Sequence, residues 1–251
     1  MPTIDNGERI DFVNDDLCLI QKPDGLTFGT DALLLAGYMN TRGVYGIELG
    51  AGSGIISMLA LTRGKLSEAL CLEVQSEYAL LTERNAELNG LSGRLKCICA
   101  DIRDFKCERE ADTVFTNPPY MKTTSGRANS LNAKNIARHE VMGDISDFLL
   151  AAKGLLKYGG AFYAVYRPDR LTDLVVAMRG SGIEPKRATF VYSDTSKESS
   201  MVLIEGRRGG KSGMKLTPPL IIYESENSRR YSADMEYIME KGRFPEKFSL
   251  G

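Results

Sequence analysis

The chain has 251 residues, 43% of them hydrophobic, with nine phenylalanines, eleven tyrosines, no tryptophan and a net charge of −1. That length and apolar content suffice for one full α/β core with a small appendage. The near-neutral balance excludes a generically basic nucleic-acid binder, and no apolar run approaches the ~18 residues of a membrane span. The charge is uneven, however. Residues 1–120 carry 11 basic and 18 acidic side chains, net −7, and residues 121–251 carry 21 and 15, net +6. No leader-like segment opens the chain, and a cytoplasmic protein is expected. Cys18, Cys71, Cys97, Cys99 and Cys107 fall mostly in apolar stretches without paired C-x-x-C spacing, and His139 is the single histidine. No metal is expected.

Arg9 to Val13 and Leu17 to Gln21 flank the polar turn Asn14-Asp15-Asp16 and predict a hairpin, an N-terminal flap. Thr30 or Asp31 is placed to cap an apolar helix over Ala32 to Met39, and both residues are candidates to close over a ligand at the next motif. That motif is Gly46-Ile47-Glu48-Leu49-Gly50-Ala51-Gly52-Ser53-Gly54, a strand running into a glycine-rich turn that opens a helix. Glycines allow close approach of a ligand and present backbone N–H groups to it. The spacing is G-x-G-x-G, not the dinucleotide pattern G-x-G-x-x-G. Glu48, placed just before it, would repel a pyrophosphate, so a cationic ligand is expected.

A second strand, Ala69 to Glu73, ends in a carboxylate nineteen residues past Gly54, near the spacing of an acid that accepts the ribose hydroxyls of a nucleoside. Ser76 is read as the cap of a helix that runs to Asn89 and is ended by Gly90. The third strand, Leu95 to Cys99, leads to Asp101 and Ile102, an acceptor and an apolar contact for an adenine ring. A fourth strand, Asp112 to Thr116, stops at Asn117-Pro118-Pro119-Tyr120, because neither proline can donate to a ladder. Acids and an amide at successive strand ends place every candidate on the carboxyl edge of one parallel sheet.

The Asn-Pro-Pro-Tyr corner carries its own chemistry. An exocyclic amine is a weak nucleophile because its lone pair is delocalised into the ring. Two acceptors, the Asn117 amide oxygen and the Pro118 carbonyl, would draw on both hydrogens and favour a pyramidal nitrogen, while Tyr120 offers a flat face to a base.

In this order and spacing, Glu48 to Gly54, Glu73, Asp101-Ile102 and Asn117 to Tyr120 resemble the class I methyltransferases that use S-adenosylmethionine. Gly29-Thr30-Asp31-Ala32-Leu33-Leu34-Leu35, Ala137-Arg138-His139-Glu140 and the flap make the chain similar to the bacterial valine tRNA (adenine-N6) methyltransferase family, over roughly residues 9–206. The resemblance implies a doubly wound α/β, Rossmann-like sheet of seven strands, mostly parallel with an antiparallel last strand. It also implies transfer of a methyl group from S-adenosylmethionine to an adenine amine in RNA, with tRNA expected. Thr30, Asp31, Glu48, Gly50, Ala51, Gly52, Gly54, Glu73, Asp101, Ile102 and Asn117 would hold the cofactor. Asn117, Pro118, Pro119 and Tyr120 would serve the reaction. A protein glutamine methyltransferase and a DNA or ribosomal RNA amino-methyltransferase are the alternatives.

Met121 to Ile136 is polar and reads as a loop in which Lys122, Arg127 and Lys134, followed by Arg138, would meet RNA phosphates. Beyond it a helix over Ser146 to Leu156, a strand over Ala161 to Tyr166, a helix from Pro168 to Arg179, and a hairpin of Ala188 to Tyr192 with Met201 to Glu205 are expected. The methyltransferase domain is drawn at 1–206, with the flap at 1–42. Residues 207–251 are read as a basic, glycine-rich tail with a short helix over Ala233 to Glu240, packed on the domain or partly disordered.

Overall fold

The structure is a computed structural model, and residues 4–22, 29–118, 143–226, 228 and 230–250 are described. Two short strands, β1 (Arg9–Asn14) and β2 (Leu17–Gln21), pair antiparallel as the expected flap. The central sheet contains β3 (Val44–Leu49), β4 (Leu66–Glu73), β5 (Leu95–Cys99), β6 (Ala111–Thr116), β7 (Leu156–Tyr166), β8 (Ile183–Tyr192) and β9 (Ser199–Arg208). Its order is β5-β4-β3-β6-β7-β9-β8, parallel except for β9, which runs antiparallel to both neighbours. Strand order reverses between β3 and β6, which opens a crevice at their carboxyl ends.

Alternation along the strands builds two cores. Tyr45, Ile47 and Leu49 of β3 and Phe162 and Ala164 of β7 face one side, under α4 (Ile145–Leu155) and α5 (Leu171–Gly180). Phe115, Tyr163 and Val165 face the other side, under α1 (Thr30–Tyr38), α2 (Ile55–Thr62) and α6 (Ala233–Lys241), with Ala79 and Ala86 of α3 (Ser76–Leu88) joining them. Both faces of the sheet are therefore covered, as a parallel sheet requires.

Several boundaries differ from expectation. Neither Thr30 nor Asp31 caps α1: Gly29 is its N-cap, and Asp31 sits in the first turn, where its charge favours the positive helix end. Gln75, not Ser76, precedes α3. Helix α4 starts from a capping box formed by Asp144 and Asp147 and stops at Leu155, because Leu156 to Gly160 already belong to β7. The sheet also has nine strands, not seven. β10 (Lys215–Leu216) and β11 (Leu220–Ile221) pair in parallel with the outer edge of β8. These two-residue strands cover an otherwise open edge. From there the chain returns across the core under α1, α2 and α6, where Leu220, Ile222, Met235, Ile238, Phe244 and Phe248 are buried.

Two cations fix this C-terminal segment and the end of α1. Arg187 is buried with Glu205, 2.8 Å away, and each side chain is only 2% exposed. The guanidinium donates to Phe248 O and Tyr38 O and lies 3.8 Å from the centre of the Tyr38 ring. Lys65 donates to Ala36 O, Gly37 O and Met39 O, closing the carbonyl end of α1. Burial pulls its pKa down from 10.5 to about 7.

Candidate active site

The glycine turn lies between β3 and α2. Gly50, Gly52 and Gly54 have φ of 68°, 57° and 78°, a region that side chains rarely adopt. Gly54 is also sterically required, since a Cβ there would come within 2.6 Å of Thr82 Cγ2. These left-handed residues turn the loop amides inward. Gly50 N–H and Ala51 N–H donate to Leu72 O, Gly54 N–H to Ala51 O, and Gly52 N–H to Glu73 Oε2 at 2.9 Å. The expected display of N–H groups to a ligand is thus corrected, because these four are satisfied within the protein. A pyrophosphate, which needs those donors, does not fit here.

Glu73 ends β4 and is 1% exposed. Its carboxylate takes Gly52 N–H on one oxygen and Gln75 N–H on the other, so it braces the turn and retains acceptor capacity on both atoms. Glu48 departs from its expected place beside a ligand. It faces α2, is 1% exposed, and accepts from Ser57 N–H at 3.0 Å and Ser57 Oγ at 2.5 Å. Burial pushes its carboxyl up to about 8, against the lowering effect of the Ser57 hydrogen bonds. Asp101 follows β5, and its carboxylate is held bidentate by Arg103, which keeps it below the usual carboxylate range. Ile102 is buried in the core under α4 and α5.

Asn117 follows β6, which Thr116 fixes to β3 by donating from Oγ1 to Leu49 O at 2.8 Å. The Asn117 Nδ2 donates to Asp31 Oδ2 at 2.8 Å, joining the start of α1 to the end of β6. A carboxylate only accepts, so the amide nitrogen must face Asp31 and the oxygen must face away. That oxygen, Asn117 Oδ1, is buried and has no hydrogen-bond partner among the described residues. An unsatisfied acceptor of this kind costs about 1–3 kcal/mol, which a ligand donor would recover. Thr30 is half-buried at the start of α1, and Pro118 is buried beside Asn117. Pro119, Tyr120, Lys122, Arg127, Lys134, Arg138 and His139 lie outside the described residues.

Three groups at this site were not anticipated. Thr82 Oγ1 donates to Gly52 O at 2.8 Å. Asn85 accepts Ile20 N–H at 2.7 Å and donates through Nδ2 to Ser53 O at 3.2 Å and to Ile20 O, which bonds the flap to the glycine turn. Gln21, at the end of β2, is buried with Oε1 unpartnered. Its place on the same strand face as the core residues Leu17 and Leu19 was the available signal.

Among the described residues the site is therefore rich in acceptors and carboxylates and poor in free donors, which suits a ligand bearing positive charge, hydroxyls and amine hydrogens. Among the described residues no group of three His, Cys, Asp or Glu side chains could hold a metal ion.

A doubly wound sheet with this strand order, closed by an antiparallel hairpin and carrying a glycine turn and an Asn corner at its switch point, defines a Rossmann-like methyltransferase fold. The sequence matches the family model of the methyltransferase small domain over residues 23–171, and the chain belongs to that family. Its relatives include tRNA1(Val) (adenine(37)-N6)-methyltransferases. That of Dyadobacter fermentans is 24% identical over 199 residues, covering 78% of this chain and 82% of the relative. That of Histophilus somni is 27% identical over 232 residues, covering 91% and 92%. Among solved structures, one described as a predicted O-methyltransferase from Agrobacterium tumefaciens aligns with a TM-score of 0.69 at 21% identity, over 86% of this chain and 98% of that one. A methyltransferase from Pyrococcus furiosus aligns with a TM-score of 0.59 at 16% identity, over 79% and 92%.

Proposed function

We propose that this chain is an S-adenosylmethionine-dependent methyltransferase that modifies the exocyclic N6 amine of an adenine in tRNA, the reaction named for its relatives at adenine 37 of a valine tRNA. The observation that carries this reading is the buried Asn117 Oδ1 at the carboxyl edge of the sheet, unpartnered among the described residues.

When bound, S-adenosylmethionine supplies an electrophilic methyl group on a sulfonium. Glu73 would accept the ribose hydroxyls, and Asp101 and Ile102 would meet the adenine moiety. The glycine turn, braced by Glu73 and Thr82, would face the methionine portion. Glu48 is a support of that turn from behind, not a contact. Asn117 Oδ1, with the Pro118 carbonyl as second acceptor, takes hydrogens of the target amine and holds its lone pair toward the methyl carbon. Transfer would break the methyl–sulfur bond as the C–N bond forms, leaving a neutral thioether, and these acceptors would stabilise the positive charge that the nitrogen gains. The resulting ammonium is strongly acidic and loses its proton to water. Tyr120 would stack on the target base, and Lys122, Arg127, Lys134 and Arg138 would contact phosphates.

Incubation with methyl-tritiated cofactor and separated RNA, DNA and protein should place the label in tRNA as N6-methyladenine. The Asn117→Ala variant should lose roughly 10²–10³ in kcat, as for removal of one positioned polar group. Label in protein glutamine instead, or undiminished turnover by the variant, would refute the reading.

A further inference from the structure

From the 2.8 Å contact between Asn117 Nδ2 and Asp31 Oδ2, we infer that Asp31 is a positioning residue for the methyl acceptor, acting through the Asn117 amide and not on the cofactor. This rests on the reading of Asn117 above. A side-chain amide is nearly symmetric in shape, so packing alone does not decide which end faces the substrate. Presented in the wrong orientation, Asn117 would offer N–H groups to an amine whose own hydrogens need acceptors. Asp31 removes that degeneracy, because its carboxylate can satisfy only the nitrogen end.

The same contact has an electronic consequence. A hydrogen bond to an anion polarises the amide, moving electron density toward Oδ1, and chains of such bonds strengthen one another in a low-dielectric site. Asn117 Oδ1 therefore becomes a stronger acceptor just where positive charge develops on the nitrogen.

Asp31 is itself held for this task. Its Oδ1 accepts Ala32 N–H at 2.9 Å in the first turn of α1, leaving Oδ2 to Asn117. Gly29 fits the arrangement, since a Cβ there would come within 2.7 Å of Asp31 Oδ1.

A double-mutant cycle tests the inference. Asp31→Ala should lower kcat by roughly 10–100-fold, the usual cost of losing a group that orients a site residue. The KM for tRNA and the calorimetric dissociation constant of S-adenosylmethionine should change less than about twofold. In the Asn117→Ala background the same substitution should have almost no further effect on kcat, because the amide it orients is gone. Asp31→Asn, which preserves shape and folding, should fall between wild type and Asp31→Ala. An undiminished effect of Asp31→Ala in the Asn117→Ala background, or weakened cofactor binding at constant kcat, would overturn the role assigned to Asp31 and leave the reaction intact. Failure of the reaction itself is distinguishable, because Asn117→Ala alone would then retain turnover.

Discussion

Glu48 sits against α2 with Oε2 accepting from Ser57 N–H, Ser57 Oγ and Cys71 Sγ, and with almost no access to water. Its carboxyl is raised from 4.5 to about 8, so the folded chain holds a proton that the unfolded chain releases. The stability this contributes is complete below about pH 4.5 and is lost as pH rises through about 8. Lys65 acts in the opposite sense. Its depressed value means that stability falls as pH drops from about 10.5 toward 7. Comparison with Glu48→Gln isolates the first effect, since Lys65 is common to both proteins and the amide oxygen can still accept from Ser57. Between pH 5 and pH 8 the unfolding free energy of wild type should fall relative to the variant by at least about 1.4 kcal/mol, the value of one pKa unit. Parallel curves from denaturant titrations would show that Glu48 ionises normally in the fold.

The flap shows how one helix replaces a missing strand. Asn85 on α3 and Asn89 at its C-cap are four residues apart, a rise of about 6 Å, which matches the roughly 6.6 Å between Ile20 and Cys18 on β2. Each amide pairs with both backbone groups of its strand residue: Asn85 with Ile20, and Asn89 with Cys18 at 3.0 and 2.7 Å. Arg84, one residue earlier, pairs with the buried carboxylate of Glu8. Asn89→Ala would leave an N–H and a carbonyl of Cys18 without partners, a local cost of about 1–3 kcal/mol. Amide hydrogen exchange should quicken at Cys18 while β3 and β6 keep their protection. Equal acceleration throughout the sheet would mean that the flap is not a separate unit of stability. The hairpin itself was legible in the sequence, since its apolar alternation and polar turn are local. The asparagine pair was not, because amides at that spacing read as an ordinary polar helix face until β2 lies beside them. The site divides in the same way. Glu73 and Asn117 stand at strand ends that periodicity alone reveals. The bond from Asn117 to Asp31 spans 86 positions, and the inward turn of the loop amides depends on φ signs that no composition specifies.

At the scale of the whole molecule, the C-terminal segment is tied to the fold by a charge buried beneath it. Its basic, glycine-rich opening has the composition of a linker, and only the apolar residues Met235, Ile238, Phe244 and Phe248 betray a packed surface. Arg187→Met should destabilise the chain by about 3–5 kcal/mol, because it removes the buried partner of Glu205 and leaves that carboxylate only the half-exposed Arg207, 3.0 Å away. Adding Glu205→Gln should recover part of that loss, which chemical denaturation of wild type and the two variants would measure. A single variant costing under about 1 kcal/mol would remove the pair from its role. The flap, in turn, is joined to the rest through Asn85, whose one NH₂ group serves Ser53 O of the glycine turn and Ile20 O of β2 together. Two events that draw on a shared group cannot be energetically independent. Whatever ordering the flap gains when a ligand fills the turn, the ligand gains the same amount in affinity from an ordered flap, and exchange at Ile20 followed against ligand concentration reads that single quantity from either side.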